Sequence, residues 1–173
     1  MIETMMSNTQ AALPELILAL GGMVFLMVGV FRGRDSSSLL TWAGVVLFAV
    51  CGVLLYNNPP AAGEAFNGLF VVNGFTSFAK ILTLIGAGIS LIMINNWSHA
   101  EGVARFELPI VVVFATLGML MMISANDFIS LYVGLELQSL SLYVLAAFHR
   151  SNLRATEAGV KYFVLGALAS GML

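Results

Sequence analysis

Six long apolar runs separated by polar breaks organise the chain, at roughly 13–31, 39–56, 75–94, 108–124, 128–148 and 156–173. About 20 mainly apolar residues, wound as a helix, cross the hydrocarbon core of a bilayer. Inside lipid a spanning segment must also satisfy its own backbone hydrogen bonds, which a helix does. The pattern predicts an all-α integral membrane protein, a polytopic bundle of about six transmembrane helices forming a single transmembrane domain over 1–173. The breaks differ in character. The second, about 57–74, opens with Asn57-Asn58-Pro59-Pro60 and contains Gly63, residues that favour turns. Its later part, Phe66 to Phe75, is apolar with Gly68 and Gly74, and a short hairpin lying against the bundle is expected there. The fourth, Ser124-Ala125-Asn126-Asp127, is so short that runs four and five must form an antiparallel helical pair, with Asn126 or Asp127 capping run five. No internal repeat and no low-complexity segment interrupts this order.

Composition agrees with the pattern. The chain has 173 residues, 60% hydrophobic and 9% charged, with mean hydropathy +0.97. Soluble domains carry about 25% charged residues. Six spans leave no room for a soluble catalytic or nucleotide-binding domain, and no nucleic-acid partner is expected. The net charge of −2 says less than where the charges fall. Lys80 and Lys161 lie inside apolar runs, whereas Arg32, Arg34, Arg105, Arg150 and Arg154 all follow odd-numbered runs. The even breaks carry Glu64 and Asp127 instead. Under the positive-inside rule the odd breaks face the cytoplasm and the amino terminus lies outside. Run one is preceded by Glu3 and followed by its basic residues, the reverse of a secretory signal, so it reads as a retained helix. The single Cys51 supports neither an intrachain disulfide nor a metal site. Run six is still apolar at Leu173, which predicts an amino-terminal portion of something longer.

The chemistry lies within the runs. Glu136 sits near the middle of run five, where a charged side chain costs about 3 kcal/mol on insertion scales. An acid at that depth reads as a site in a proton or ion pathway. Tyr132, Ser139 and Tyr143 stand at −4, +3 and +7 from it and share its arc of the helix. Hydroxyls there can hydrogen-bond the carboxylate or hold water beside it. The competing reading is a protonated Glu136 that merely fastens two helices. Lys161 has two readings that the residues leave open. Four residues after Glu157, it is placed for a local ion pair near the cytoplasmic boundary; turned inward, it would tune the proton affinity of Glu136 through water. Gly159, Gly166 and Ser170 cluster on another side of run six and suit close helix packing. Lys80 shares a stripe with Thr76 and Thr83 near the outer end of run three, where a lysine is expected to snorkel to water. His99 and His149 lie in cytoplasmic-side breaks without a matching acid or cysteine, and the ten methionines suit packing.

Two blocks carry a family resemblance. Ser124-Ala125-Asn126-Asp127 with Gly134-Leu135-Glu136-Leu137-Gln138-Ser139-Leu140 and Tyr143-Val144-Leu145 closely resembles the antiporter-like subunit N of bacterial respiratory complex I, the NADH:quinone oxidoreductase. Glu157-Ala158-Gly159-Val160-Lys161-Tyr162-Phe163-Val164-Leu165-Gly166-Ala167 matches that family's next helix. The resemblance covers the opening third of the family's usual length. It implies a proton-translocating, non-redox subunit of the bacterial inner membrane with its amino terminus on the periplasmic side, coupled to electron transfer from NADH to quinone. It implies no cofactor in this chain, with NADH, FMN, iron–sulfur clusters and quinone elsewhere in the complex. Its implied partners are other membrane-arm subunits and lipid. Glu136 is the implied proton-channel residue and Lys161 a relay or modulator, with Tyr132, Ser139, Tyr143 and Lys80 in support. Asn73 and Ser141 depart from the family pattern, where aspartate and proline are frequent. The competing functions are a subunit of a multisubunit sodium/proton antiporter and a passive membrane scaffold.

Overall fold

A computed structural model of the chain describes residues 8–33, 36–57 and 63–173. Glu3, Arg34 and the Asn58-Pro59-Pro60 turn lie outside the described residues. Six long helices follow in order: α1 Leu13–Arg32, α2 Ser37–Asn57, α3 Gly74–Ala100, α4 Glu107–Ser124, α5 Phe128–Ala146 and α6 Leu153–Met172. Between α2 and α3, β1 Gly63–Ala65 pairs antiparallel with β2 Phe70–Val72, Gly63 opposite Val72 and Ala65 opposite Phe70. This is the expected hairpin, begun a few residues earlier. Its turn uses positive φ at Phe66, Asn67 and Gly68 (φ 54°, 57° and 87°).

Five of the helices, α1 to α5, are long and apolar enough to cross a membrane. α6 matches them in length at 20 residues, but Arg154, Glu157 and Lys161 lower its hydropathy and it falls outside that set. The helix starts follow capping chemistry. Asn73 Oδ1 accepts from the Thr76 N–H (2.7 Å) while Thr76 Oγ1 accepts from the Asn73 N–H (2.9 Å), a reciprocal box opening α3. The departure at Asn73 thus keeps the acceptor that an aspartate would supply. Asp127 caps α5 and Asn152 caps α6. α3 runs six residues past its apolar run, through Asn95, Asn96 and His99, and ends at Ala100, two residues before Gly102 with φ 68°. Apolar length reports membrane thickness, whereas the helix ends where the backbone turns left-handed.

α4 is the central element, with eleven of its 18 residues buried. Leu18 of α1, Phe48 of α2 and Leu84 and Leu91 of α3 form the core with its own Val113 and Leu120. Against α5 it approaches backbone to backbone. A Cβ on Gly118 would stand 2.7 Å from the Gln138 nitrogen and the Gly134 oxygen. Two hydroxyls buried in the bundle turn back on their own helices. Thr116 Oγ1 donates to the Val112 carbonyl and Ser141 Oγ to that of Leu137, both at 2.8 Å. The alternating helices gather Arg32, Arg105, Arg150 and Arg154 at one end of the bundle and the hairpin with Asp127 at the other. That separation is the charge asymmetry the sequence predicts.

Candidate functional site

Glu136 is the ninth residue of α5 and half-buried. Ser170 of α6 donates a hydrogen bond from Oγ to Glu136 Oε1. The same Oγ lies 3.0 Å from the Tyr132 hydroxyl. The Tyr143 ring packs edge-on against Tyr162 (centroids 4.7 Å apart) and Phe163 (5.8 Å) of α6. All of this faces one side of α6, where Gly159 meets Ala147 and Gly166 lies under the Tyr143 ring. The predicted arc of α5 and the predicted small-residue face of α6 therefore meet. Ser170 was legible in the sequence as a packing residue only; the structure makes it the hydrogen-bond donor to the carboxylate. Ser139 is half-buried and makes no hydrogen bond among the described residues.

Lys161 takes the local arrangement. Its Nζ lies 2.5 Å from Glu157 Oε1 one turn earlier, with both side chains exposed. Among the described residues neither Lys161 nor any other cation forms an ion pair with Glu136.

The expectation for Lys80 is overturned. Instead of snorkelling it is 2% exposed, with Nζ 2.7 Å from Glu15 Oε1 of α1 and 5.1 Å from the centroid of the Phe70 ring on β2. The hairpin roofs this end of α3, so the lysine has a buried counter-charge and an aromatic face in place of water. Oε2 of Glu15 is buried with no hydrogen-bond partner among the described residues. Glu15 is a functional candidate that sequence reasoning missed. An acid in a helix's first turn has an ordinary explanation in the positive end of the helix dipole. The available signal was the criterion applied to Glu136, an acid within an apolar run, together with an unmatched lysine at similar depth on another run. His99 lies in the last turn of α3 and His149 between α5 and α6. Among the described residues no group of three His, Cys, Asp or Glu is placed to hold a metal.

Asp127, at the start of α5, accepts from the Ile129 N–H (3.0 Å) and the Ser130 N–H (3.3 Å). The bond from Ile129, with further help from Ser130, holds its carboxyl below the usual carboxylate range.

Comparison with known proteins follows the same boundaries. The family model described as "NADH:quinone oxidoreductase/Mrp antiporter, TM" matches residues 125–173, which contain α5 and α6. NADH-quinone oxidoreductase subunit N of Parvibaculum lavamentivorans is 56% identical over 162 residues, 94% of this chain and 34% of that protein. The subunit N of Rhodospirillum rubrum is 57% identical over 164 residues, with the same two coverages. A chain of respiratory complex I from Thermus thermophilus, solved with bound aureothin, superposes with a TM-score of 0.72. It is 28% identical and covers 91% of this chain and 34% of its own length. The chain spans about a third of the length of the curated relatives it matches. Over nearly all of its own length, the chain is a relative of the NADH-quinone oxidoreductase subunit N family.

Proposed function

We propose that this chain forms part of a proton-translocating membrane-arm subunit of an NADH:quinone oxidoreductase, a multi-pass protein of a bacterial inner membrane. In this reading it is a non-redox subunit of a translocase, and its partners are neighbouring membrane-arm subunits and lipid. NADH, FMN, iron–sulfur clusters and quinone belong to other subunits. An iron–sulfur cluster takes several cysteine thiolates, which the single buried Cys51 does not supply. The amino terminus is assigned to the periplasmic side, because the described arginines cluster at the opposite end of the odd-numbered helices' path.

The carrying observation is the chain of three oxygens at the α5–α6 contact: Tyr132 hydroxyl, Ser170 hydroxyl, Glu136 carboxylate. Each hydroxyl both donates and accepts. A proton taken up or released by Glu136 therefore has a hydrogen-bonded neighbour within the α5–α6 contact. A passive helix fastener needs only a hydrogen bond, and glutamine can make one. The test is Glu136→Gln in the full-length subunit within its assembled complex. Assembly is expected to be normal while proton pumping falls to the background of an uncoupled preparation. Pumping at the wild-type level in an assembled complex would sink the proposal. The family model also covers subunits of Mrp antiporters. Purification of the subunit with sodium/proton antiport subunits, and without flavin and iron–sulfur proteins, would favour that reading instead.

A further inference from the structure

At the end of the bundle away from the hairpin, two loops face each other across a cavity of about 480 Å3. Residues 102–105, joining α3 to α4, form one wall, and residues 148–151, joining α5 to α6, form the other. Arg105, His149 and Arg150 border the space. The nearby acids Glu101 and Glu107 do not. Among the described residues neither arginine has a carboxylate within ion-pair distance.

Both walls are held by backbone contacts. The Val103 N–H donates to the Ser98 carbonyl (3.0 Å), and Ser37 Oγ of α2 donates to the Arg105 carbonyl (3.4 Å). On the other side the Asn152 N–H donates to the His149 carbonyl (2.9 Å). Positive charge at this end satisfies the topology rule wherever the arginines point. That rule does not require two loops, distant in sequence, to border one cavity with their cations. Like charges brought to a shared space repel unless an anion lies between them. Guanidinium forks match phosphate oxygens in pairs. If the helices span a bilayer, the cavity lies at the level of the lipid headgroups, with the Phe148 ring in its wall. Its volume falls within the ~300–1,000 Å3 usual for small-ligand sites.

We propose that this cavity binds a phosphate-bearing anion, the headgroup of an acidic phospholipid, with Arg105 and Arg150 holding the phosphate and His149 and Ser151 hydrogen-bonding the remainder. The inference does not depend on proton transport. Its test uses the assembled complex in nanodiscs of phosphatidylcholine containing a trace of headgroup-photoreactive phosphatidylglycerol, with crosslinked peptides mapped. Label is expected on 102–105 and 148–151, displaced by unlabelled phosphatidylglycerol and not by inorganic phosphate. Displacement by inorganic phosphate at comparable concentration would assign the site to the free anion and overturn the lipid. Each arginine near an anionic surface is worth about a fivefold change in binding, so Arg150→Gln should lower the label about that much. Arg105→Gln with Arg150→Gln should lower it further, and lysine at both positions should restore most of it. Unchanged labelling in assembled Arg150→Gln and in the double variant would overturn the site. Should the double variant fail to assemble, Arg150→Gln alone decides, because Arg150 is exposed and its backbone lies in a loop.

Discussion

The chain carries a glutamate and a lysine in its helices twice, and the two regions treat them in opposite ways. In the α1–α3 region, Glu15 and Lys80 are buried together at 2.7 Å under the Phe70 ring. In the α5–α6 region the partners are separated: Glu136 is held by a serine, and Lys161 by the neighbouring Glu157. A closed pair leaves each charge little freedom to change state, because parting or neutralising one strands the other in an apolar interior. A carboxylate held by a hydroxyl keeps a proton neighbour without a fixed counter-charge. Depth in the membrane is thus a weaker guide to role than the identity of the partner.

The largest effect should come from breaking the closed pair. Lys80→Ala leaves Glu15 buried and alone, at a cost of about 3–5 kcal/mol, and the subunit should fail to assemble or melt far below the wild type. Replacing both by apolar residues of similar size, Glu15→Leu with Lys80→Met, should recover much of that loss. Wild-type thermal stability in Lys80→Ala would show that the pair is not closed in the assembled protein.

The open region should respond differently. The pair Glu157–Lys161 is exposed in this chain, and an exposed pair of this spacing contributes only about 0.3–0.5 kcal/mol. Glu157→Ala and Lys161→Ala should therefore each change stability by less than a degree or two of melting temperature in a protein of this size. Proton pumping measured on the same two variants sharpens the contrast. A loss in Lys161→Ala but not in Glu157→Ala would give the lysine a role at Glu136 despite its local partner. Equal behaviour of the two would leave it an ordinary surface pair.

How much of this was legible beforehand follows from the same contrast. The order of six long helices, the α4–α5 hairpin, a cap at Asn126 or Asp127 and the arc at Glu136 are local properties of periodicity and capping. The structure keeps the six helices, with five of them apolar enough to span, and places the cap at Asp127. The small face of α6 was also legible, because Gly159, Gly166 and Ser170 recur at helical spacing. The Glu15–Lys80 pair was not. It depends on 64 residues of intervening chain bringing α1 beside α3, and on a hairpin that excludes the water Lys80 was expected to reach. The backbone-to-backbone approach of α4 and α5 at Gly118 and Gly134 was missed for a similar reason: each glycine is unremarkable on its own helix until the other faces it.

The smallest expected effect is at the turn between the two regions. Asp127 caps α5 as an ionised group, with its carboxyl held below the usual range. Its contribution is thus present above the unfolded-state value, about 3.9, and fades as pH falls through the lower folded one. Asp127→Ala should lower the melting temperature of the detergent-solubilised complex slightly near neutral pH, and Asp127→Asn should restore most of it. The gap between wild type and Asp127→Asn should close in acid. A gap that widens there would contradict the cap assignment.

The hairpin touches both regions at once. Phe70 lies over Lys80 and also bridges to Ala125, while Asn126 bonds through its N–H to the Leu69 carbonyl (3.1 Å) and through Nδ2 to that of Gly68 (2.8 Å). The next residue is the cap of α5. The hairpin, through its turn and the first residue of β2, is thereby both the roof of the sealed charges and an anchor of the helix bearing Glu136, so the two sites share one fastening.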